Sequence, residues 1–199
     1  MPFNPAIHHR RSIRLKGYDY SQAGLYFVTI CVQNRSFLFG KIENGKMILN
    51  DAGKMVEKWY LELPNKFPDI ELGEYVVMPN HFHAIIINTG NPIRPDKTDN
   101  VVVGADTQVC PYDEHILGEH ISGEHTGSPL HAVVQWFKTM STNEYIRGVK
   151  TLNWQPFNKK LWQRNYYEHI IRNEQSYQNI SNYIINNPVK WENDKFYME

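Results

Sequence analysis

The sequence predicts an α+β sandwich, in which helices cover an antiparallel sheet. Its candidate elements follow one another as strand, hairpin, helix, two strands, helix, strand, helix, which is a split β-α-β order. The strand candidates are rich in aromatic and β-branched residues, whereas the helix candidates repeat apolar residues every three or four positions. With 199 residues, 41% of them hydrophobic, the chain can bury one core. We therefore expect a single domain over residues 1–199.

The first strand and a hairpin come early in the chain. Residues Gly24–Gln33 are mostly aromatic and β-branched and are bounded by Gly and Asn, so they should form a central strand buried on both faces. Asn44-Gly45 separates Phe37–Ile42 from Lys46–Leu49, and Asn-Gly is a strong hairpin signal. The hairpin should lie at the periphery of the domain.

A helix and a pair of strands come next. Asp51 can cap a helix over about residues 52–63, which Pro64 should end. Tyr75–Met78 and Phe82–Ile87 are two short apolar segments joined by a Pro-Asn turn. We expect them to form a buried strand pair.

A long polar segment interrupts the domain. From about residue 89 to residue 127 the apolar periodicity disappears, and Gly, Pro, Asp, Asn and Thr dominate. Compact domains rarely hold so long a loop unless it is functional or mobile. We expect a flexible insertion.

The last third of the chain supplies two helices and a strand. Ser128-Pro129 is a typical helix start, and Gly148 should end that helix. Leu161–Arg172 should be extended and join the edge of the sheet. Asn173 should cap the final helix, which Pro188 stops.

Two histidines lie on the second strand of the buried pair. Side chains alternate along a strand, so His81 and His83 share one face while Phe82 points to the other. Imidazole binds divalent ions well, and two ligands on a rigid strand need little reorganisation. The pair could be half of a metal site or two ordinary histidines at a strand end. The spacing alone does not decide.

The last helix places a tyrosine beside an amide. At about 100° per residue, Tyr183 and Asn187 lie roughly 40° apart on the edge of its apolar stripe. A tyrosine hydroxyl, with a pKa near 10, is a poor nucleophile at neutral pH and needs a cation when it attacks a phosphodiester. Two His and an Asn could hold that cation. Alternatively, Tyr183 simply packs at the margin of the core.

Charge and cysteine content restrict the setting of the protein. Lys plus Arg and Asp plus Glu both number 21, so no overall field favours an acidic partner. Cys31 and Cys110 form no disulfide framework, which fits a reducing compartment. We find no secretory signal and no apolar run of the roughly 20 residues that a bilayer requires, so we expect a cytoplasmic protein without a membrane partner.

Positive charge is nevertheless concentrated at the N-terminus. Arg10, Arg11, Arg14 and Lys16 precede the first strand with no acidic residue among them. They could contact the phosphates of a nucleic acid, or they could be a solvated arm.

Several stretches together resemble the REP-associated tyrosine transposases, which belong to the HUH class of single-strand transposases. They are Val77-Met-Pro-Asn-His-Phe-His83, Arg11-Ser-Ile-Arg14, Tyr18-Asp-Tyr20, Tyr26-Phe-Val-Thr29, Trp162-Gln-Arg-Asn-Tyr-Tyr-Glu-His-Ile-Ile-Arg172 and Tyr183-Ile-Ile-Asn-Asn-Pro188. The resemblance covers nearly the whole chain outside the insertion. The joint occurrence of the His-hydrophobic-His and Tyr-to-Asn-Pro patterns is far more specific than either pattern alone.

The resemblance implies a fold and a chemistry. The fold would be a ferredoxin-like sandwich, with the two histidines on a central strand and the helices on one face. His81 and His83 would be metal ligands and Tyr183 the nucleophile. Asn187 would complete the site where related transposases often carry Gln, and the ion would be Mg²⁺ or Mn²⁺. Such enzymes cut single-stranded DNA beside a hairpin, forming a 5′-phosphotyrosine and a free 3′-OH, so the protein would be associated with the nucleoid.

Two other functions stay open. One is a phosphoesterase in which a histidine is the nucleophile or acid-base group, although Ile85 stands where the third alternating histidine would be. The other is a hairpin-DNA-binding protein whose catalysis is lost or incidental. The sequence also leaves open whether the protein is a monomer or a homodimer.

Overall fold

The computed structural model describes residue 15, residues 17–90 and residues 127–197. Residues 91–126, which make up nearly all of the expected insertion, lie outside the described residues. The same holds for the candidate DNA-binding residues Arg10, Arg11, Arg14 and Lys16, so the expectations for both segments stay predictions.

A four-stranded antiparallel sheet organises the described residues. In chain order the elements are β1 (Gly24–Cys31), β2 (Gly40–Glu43), β3 (Lys46–Leu49), α1 (Asp51–Leu61), the single-turn α2 (Leu63–Lys66), β4 (Ile70–Met78), β5 (His81–Asn88), α3 (Leu130–Thr151), β6 (Tyr167–Ile171) and α4 (Glu174–Asn186). The strand order in the sheet is β4-β5-β1-β6. Helices α1 and α3 make the two crossovers between its strands, so the fold is the predicted ferredoxin-like sandwich.

The two faces of the sheet carry separate apolar clusters. Phe82, Ala84 and Ile86 of β5 belong to the main core, which also contains residues of α1 and α3. Ile85 instead packs with Phe27, Ile171 and Ile184, and the last of these is on α4. Thus α1 and α3 cover the same face of the sheet, as expected, but α4 covers the opposite face.

That placement corrects the expectation that all helices share a face, and it has a direct physical reason. The face of β5 opposite the main core is also apolar at Ile85, and the stripe of α4 buries it. Because His81 and His83 alternate in phase with Ile85, α4 packs on the face that carries both histidines.

The strand predictions are confirmed. The predicted first strand, β1, is central and pairs with β5 on one side and β6 on the other. The Asn-Gly hairpin forms a separate two-stranded sheet, in which Asn44 and Gly45 both have positive φ, as a tight hairpin turn requires. The segment Leu161–Arg172 contributes β6 at the sheet edge.

The start of α1 and the end of α3 differ from the predictions. Asn50, not Asp51, caps α1, since its side chain accepts a hydrogen bond from the Gly53 N–H at 2.9 Å. Gly148 does not end α3, which continues to Thr151. At Gly148 a Cβ atom would collide with the Trp154 ring, so the glycine lets that ring pack closely against the helix.

The start of α3 also differs. Ser128 does not cap the helix; its hydroxyl donates to Asp69 Oδ1 at 2.7 Å, which ties the start of α3 to the segment before β4. The cap of α4 is as predicted, because Asn173 Oδ1 accepts from the Ser176 N–H at 2.8 Å. Within the described ranges, no helix is both long and apolar enough to cross a membrane.

Candidate active site

The two histidines lie side by side at the start of β5. His81 and His83 are fully buried, and their ring centroids are 4.5 Å apart. Val76 and Met78 of β4 and Thr29 and Cys31 of β1 are their register partners, so neighbouring strands hold both of them. The shared face predicted from strand alternation is confirmed.

A neighbouring amide orients His81. Asn80 Nδ2 donates to the carbonyl oxygens of Arg35, at 3.2 Å, and Phe196, at 2.8 Å, so its Oδ1 is left as an acceptor. His81 Nδ1 lies 2.8 Å from that oxygen and therefore donates to it. Nε2 then carries the lone pair, and it has no hydrogen-bond partner among the described residues. A buried imidazole nitrogen of this kind is ready to bind a cation.

The second histidine has a similar support. His83 Nδ1 lies 2.8 Å from the Thr29 hydroxyl of β1, and its ring stacks on Phe27 with centroids 5.3 Å apart. Its Nε2 faces Tyr183, whose hydroxyl oxygen is 3.2 Å away. The strand and the helix thus present these two groups to each other.

Tyr183 projects from the last turns of α4 toward the histidines. Its hydroxyl lies next to His83. The side chain is nevertheless 39% exposed, so a substrate can reach it. The hydroxyl also donates to Asp194 Oδ2 at 3.3 Å. Burial and the Asp194 carboxylate raise the pKa of Tyr183 to about 12, so the phenol is protonated at neutral pH.

A carboxylate completes the group. Asp194 follows the 3-10 turn Trp191–Asn193, and its Oδ1 accepts from the Phe196 N–H at 2.7 Å. Donor atoms of His81, His83 and Asp194 all lie within 4.8 Å of one another. A set of two imidazoles and a carboxylate at this separation could hold a divalent metal ion.

Asn187 lies at the same place. It is the C-cap residue of α4 and is 2% exposed, and its Nδ2 donates to Asp194 Oδ2 at 3.0 Å. Its Oδ1 is buried and has no hydrogen-bond partner among the described residues. A buried amide oxygen without a partner is costly unless something binds it, and a metal ion would do so.

The protonation state of the two histidines suits metal binding. Burial, together with the positive charges of Lys195 and Arg35, lowers the pKa of His81 to about 3. Burial, and then His81 itself, lowers the pKa of His83 well below its ordinary value. Both rings are therefore neutral at physiological pH, which is the state that coordinates metals.

Three contributors to this site were not found from the sequence. Thr29 had a weak signal, as a polar residue in an otherwise apolar strand. Asn80 lies in the stretch that carries the resemblance, but the sequence predicts only a turn there, whereas its side chain also orients His81. Asp194 gave no signal, because it lies beyond Pro188, where the helical periodicity has ended.

Comparison with known proteins gives relatives by sequence and by structure. No family model matches the sequence. An uncharacterized protein of Haemophilus influenzae is 38% identical over 197 residues, which cover 99% of this chain and 98% of that protein. A second Haemophilus influenzae protein, named "Putative REP-associated tyrosine transposase", is 23% identical over 175 residues, 86% of this chain and 74% of the relative.

A solved structure shares the fold. It is a REP-associated tyrosine transposase bound to a REP hairpin, and it matches this chain with a TM-score of 0.52 at 19% identity, covering 92% of this chain and 74% of the other. The fold is therefore that of a tyrosine transposase. The chain is of one family with the 38% identical Haemophilus protein. It is similar to REP-associated tyrosine transposases in sequence and in fold, which confirms the resemblance seen in its motifs.

Proposed function

We propose that the protein is a metal-dependent enzyme that nicks and joins single-stranded DNA beside a hairpin, through a 5′-phosphotyrosine on Tyr183. One observation carries the proposal. The Tyr183 hydroxyl lies 3.2 Å from His83 Nε2 and 3.3 Å from Asp194 Oδ2, within a group of donors that suits a divalent ion. The transposase-like part of this function is supported by the relatives described above.

The candidate ligands are His81, His83 and Asn187. They suit the ion because His81 Nε2 and Asn187 Oδ1 are buried polar atoms without a hydrogen-bond partner in the part of the chain that the structure describes. Asp194 adds a negative charge next to these donors. When bound, Mg²⁺ or Mn²⁺ would polarise the phosphate and stabilise the charge that develops on it.

The reaction follows from the contacts of Tyr183. Its Oη attacks the phosphorus, and its proton passes to the Asp194 carboxylate, to which the hydroxyl already donates. The new bond joins Oη to the 5′-phosphate, and the phosphorus-to-O3′ bond breaks. The released 3′-oxygen takes up a proton from solvent water, and the resulting 3′-OH can later attack the phosphotyrosine to rejoin strands.

The direct test is a search for the covalent product. The protein is incubated with a DNA hairpin carrying single-stranded arms, with Mg²⁺ or Mn²⁺, and separated under denaturing conditions. We expect a species in which one DNA fragment stays attached to the protein. Hairpin binding without this species would favour the alternative of a hairpin-DNA-binding protein without catalysis, and a phosphohistidine adduct would favour the phosphoesterase.

Asp194 offers a prediction with two readouts. In Asp194→Asn the shape is kept and the charge is lost, so we expect Mn²⁺ affinity to fall by about 10- to 100-fold. Removing the carboxylate also removes a cause of the raised pKa of Tyr183, so this pKa should fall below about 12. Calorimetry measures the Mn²⁺ affinity. The pKa of Tyr183 is measured by titrating tyrosine absorbance in the ultraviolet and subtracting the titration of a matched protein that carries Tyr183→Phe. Glu192→Gln, a carboxylate change in the adjacent exposed turn, is the control and should alter neither quantity.

The N-terminal cations predict a salt effect. If Arg10 and Arg11 contact phosphates, Arg10→Gln/Arg11→Gln should weaken hairpin binding and flatten the plot of log K against log salt by about 0.7–0.9 per lost contact. Lys54→Gln/Lys66→Gln, which removes two cations of α1 and α2, should leave the slope unchanged. An equal slope for both variants would assign the N-terminal charges to solubility.

The cellular setting of the proposal is the cytoplasm, near chromosomal DNA, where single-stranded hairpins arise. The solved relative is a complex with a REP hairpin, which supports hairpin DNA as the partner.

A further inference from the structure

A cavity of about 420 Å³ lies behind the candidate active site. Its walls are the β2–β3 hairpin with the segment before it, the turn at Pro79, and the chain that follows α4. That volume is in the range of small-molecule binding sites. No residue of the proposed chemistry lines the cavity, so the site described above does not account for it.

Three aromatic rings line this cavity. Trp191 is the central one, with ring centroids 5.8 Å from Phe37 and 5.5 Å from Tyr197. Trp191 is only 6% exposed, but Phe37 is 44% and Tyr197 37% exposed. Exposed rings that line a concave surface are available to stack on a flat ligand.

The cavity shares a wall with the candidate active site. Trp191, which lines the cavity, also packs against His81, with ring centroids 5.8 Å apart and planes inclined by 33°. Pro188, which also lines the cavity, directly follows Asn187. The cavity is therefore separated from His81 by the Trp191 side chain, so a nucleotide next to a phosphate bound at the histidines could reach it.

Charged side chains of both signs complete the lining. Lys41, whose side chain is 69% exposed, contributes an ammonium group that pairs with Glu43 at 2.6 Å, and Glu192 contributes a carboxylate. The ammonium suits a backbone phosphate, and a carboxylate accepts from an exocyclic amino group of a base. A cavity that combines flat rings with these two groups suits a nucleotide better than an apolar peptide side chain.

We propose that this cavity binds an unpaired nucleobase of the single strand next to the phosphate that Tyr183 attacks. The inference rests on the proposed function, because it takes the strand to pass the histidines. A paired base presents only its edges, so ring-to-base stacking requires a base that is flipped out or single-stranded. The cavity would hold the strand in place and set which unpaired position is cut.

Abasic scanning of the DNA tests the proposal. The probe is a DNA hairpin with single-stranded arms, in which each arm base in turn is replaced by an abasic site. Binding is measured in the Tyr183→Phe background, so that cleavage is not needed. We expect one arm position whose loss weakens binding by about 5- to 150-fold, the range for one stacked base.

Variants assign that base to the cavity. Phe37→Ser and Tyr197→Ser change rings on separate walls of the cavity. Each variant should bind the intact probe more weakly than the Tyr183→Phe protein does. Each should also bind the intact probe and the probe that is abasic at the sensitive position with equal affinity. Ile48→Ser is the matched control, since Ile48 is 45% exposed on the same hairpin but does not line the cavity. Thermal unfolding shows which variants are folded. If Phe37→Ser is unfolded, the result for Tyr197→Ser alone decides whether the base binds in the cavity.

Two outcomes separate this inference from the proposed function. If both cavity variants keep the wild-type affinity, or the full abasic effect, the cavity assignment is overturned even when the unmodified protein forms the covalent adduct. If the cavity variants behave as expected but the protein with Tyr183 intact forms no adduct, the base site stands and the proposed chemistry fails.

Discussion

Tyr183→Phe is expected to abolish the covalent DNA adduct while leaving hairpin binding intact. The change removes only the hydroxyl oxygen, which lies 3.2 Å from His83 Nε2 and donates to Asp194. The ring still packs edge-on against Phe27, so stability should change by less than about 1.5 kcal/mol. Adduct formation is measured on denaturing gels, and binding is measured by fluorescence anisotropy of a labelled hairpin.

Tyr177→Phe is the matched control for this loss. Tyr177 lies on the same helix, but its hydroxyl donates to Glu74 Oε2 at 2.9 Å, away from the histidines. That variant should form the adduct at the wild-type rate. Peptide mapping of the wild-type adduct should place the phosphate on Tyr183, and mapping to Tyr166 or Tyr167 would refute the assignment.

Most of the fold could be predicted because its strands carry strong local signals. The β-branched and aromatic stretches of β1 and β5 require burial wherever they lie, and Asn44-Gly45 requires a tight turn. The face on which α4 packs could not be predicted, since an apolar stripe says that a helix is buried but not against which surface. Gly148 was interpreted as a helix end because its true role depends on Trp154, a contact made in the tertiary structure.

The candidate site divides in the same way. Strand alternation puts His81 and His83 on one face, and helical spacing puts Tyr183 near Asn187, because each pair is fixed within one element. Their roles are implied by the resemblance to the transposases and not by the spacing. Asp194 depends on how the chain turns back after α4, and no periodic pattern encodes that path. The motifs therefore indicate the candidate site residues, whereas the groups that surround and orient them require the structure.

His81→Ala is expected to remove high-affinity Mn²⁺ binding and to lower the rate of adduct formation by about 100-fold or more. His81 is the sharper of the two histidine tests, because its Nε2 has no hydrogen-bond partner among the described residues, whereas His83 also contacts Tyr183. The pKa of His81 is lowered to about 3, so protons do not compete for the ring near neutrality. Wild-type Mn²⁺ affinity should therefore hardly change between about pH 8 and about pH 6.

Calorimetric titration with Mn²⁺ and the adduct assay check both parts of this prediction. His169→Ala is the control, since His169 is an exposed histidine on β6 and should affect neither quantity. Trp191 and Phe196 pack against the His81 ring, so thermal unfolding must show that the variant remains folded. A folded His81→Ala protein that binds Mn²⁺ and forms the adduct like the wild type would rule out His81 as a ligand. A wild-type affinity that falls steeply from about pH 8 to about pH 6 would show that the ligands titrate near neutrality, contrary to the buried, neutral histidine pair.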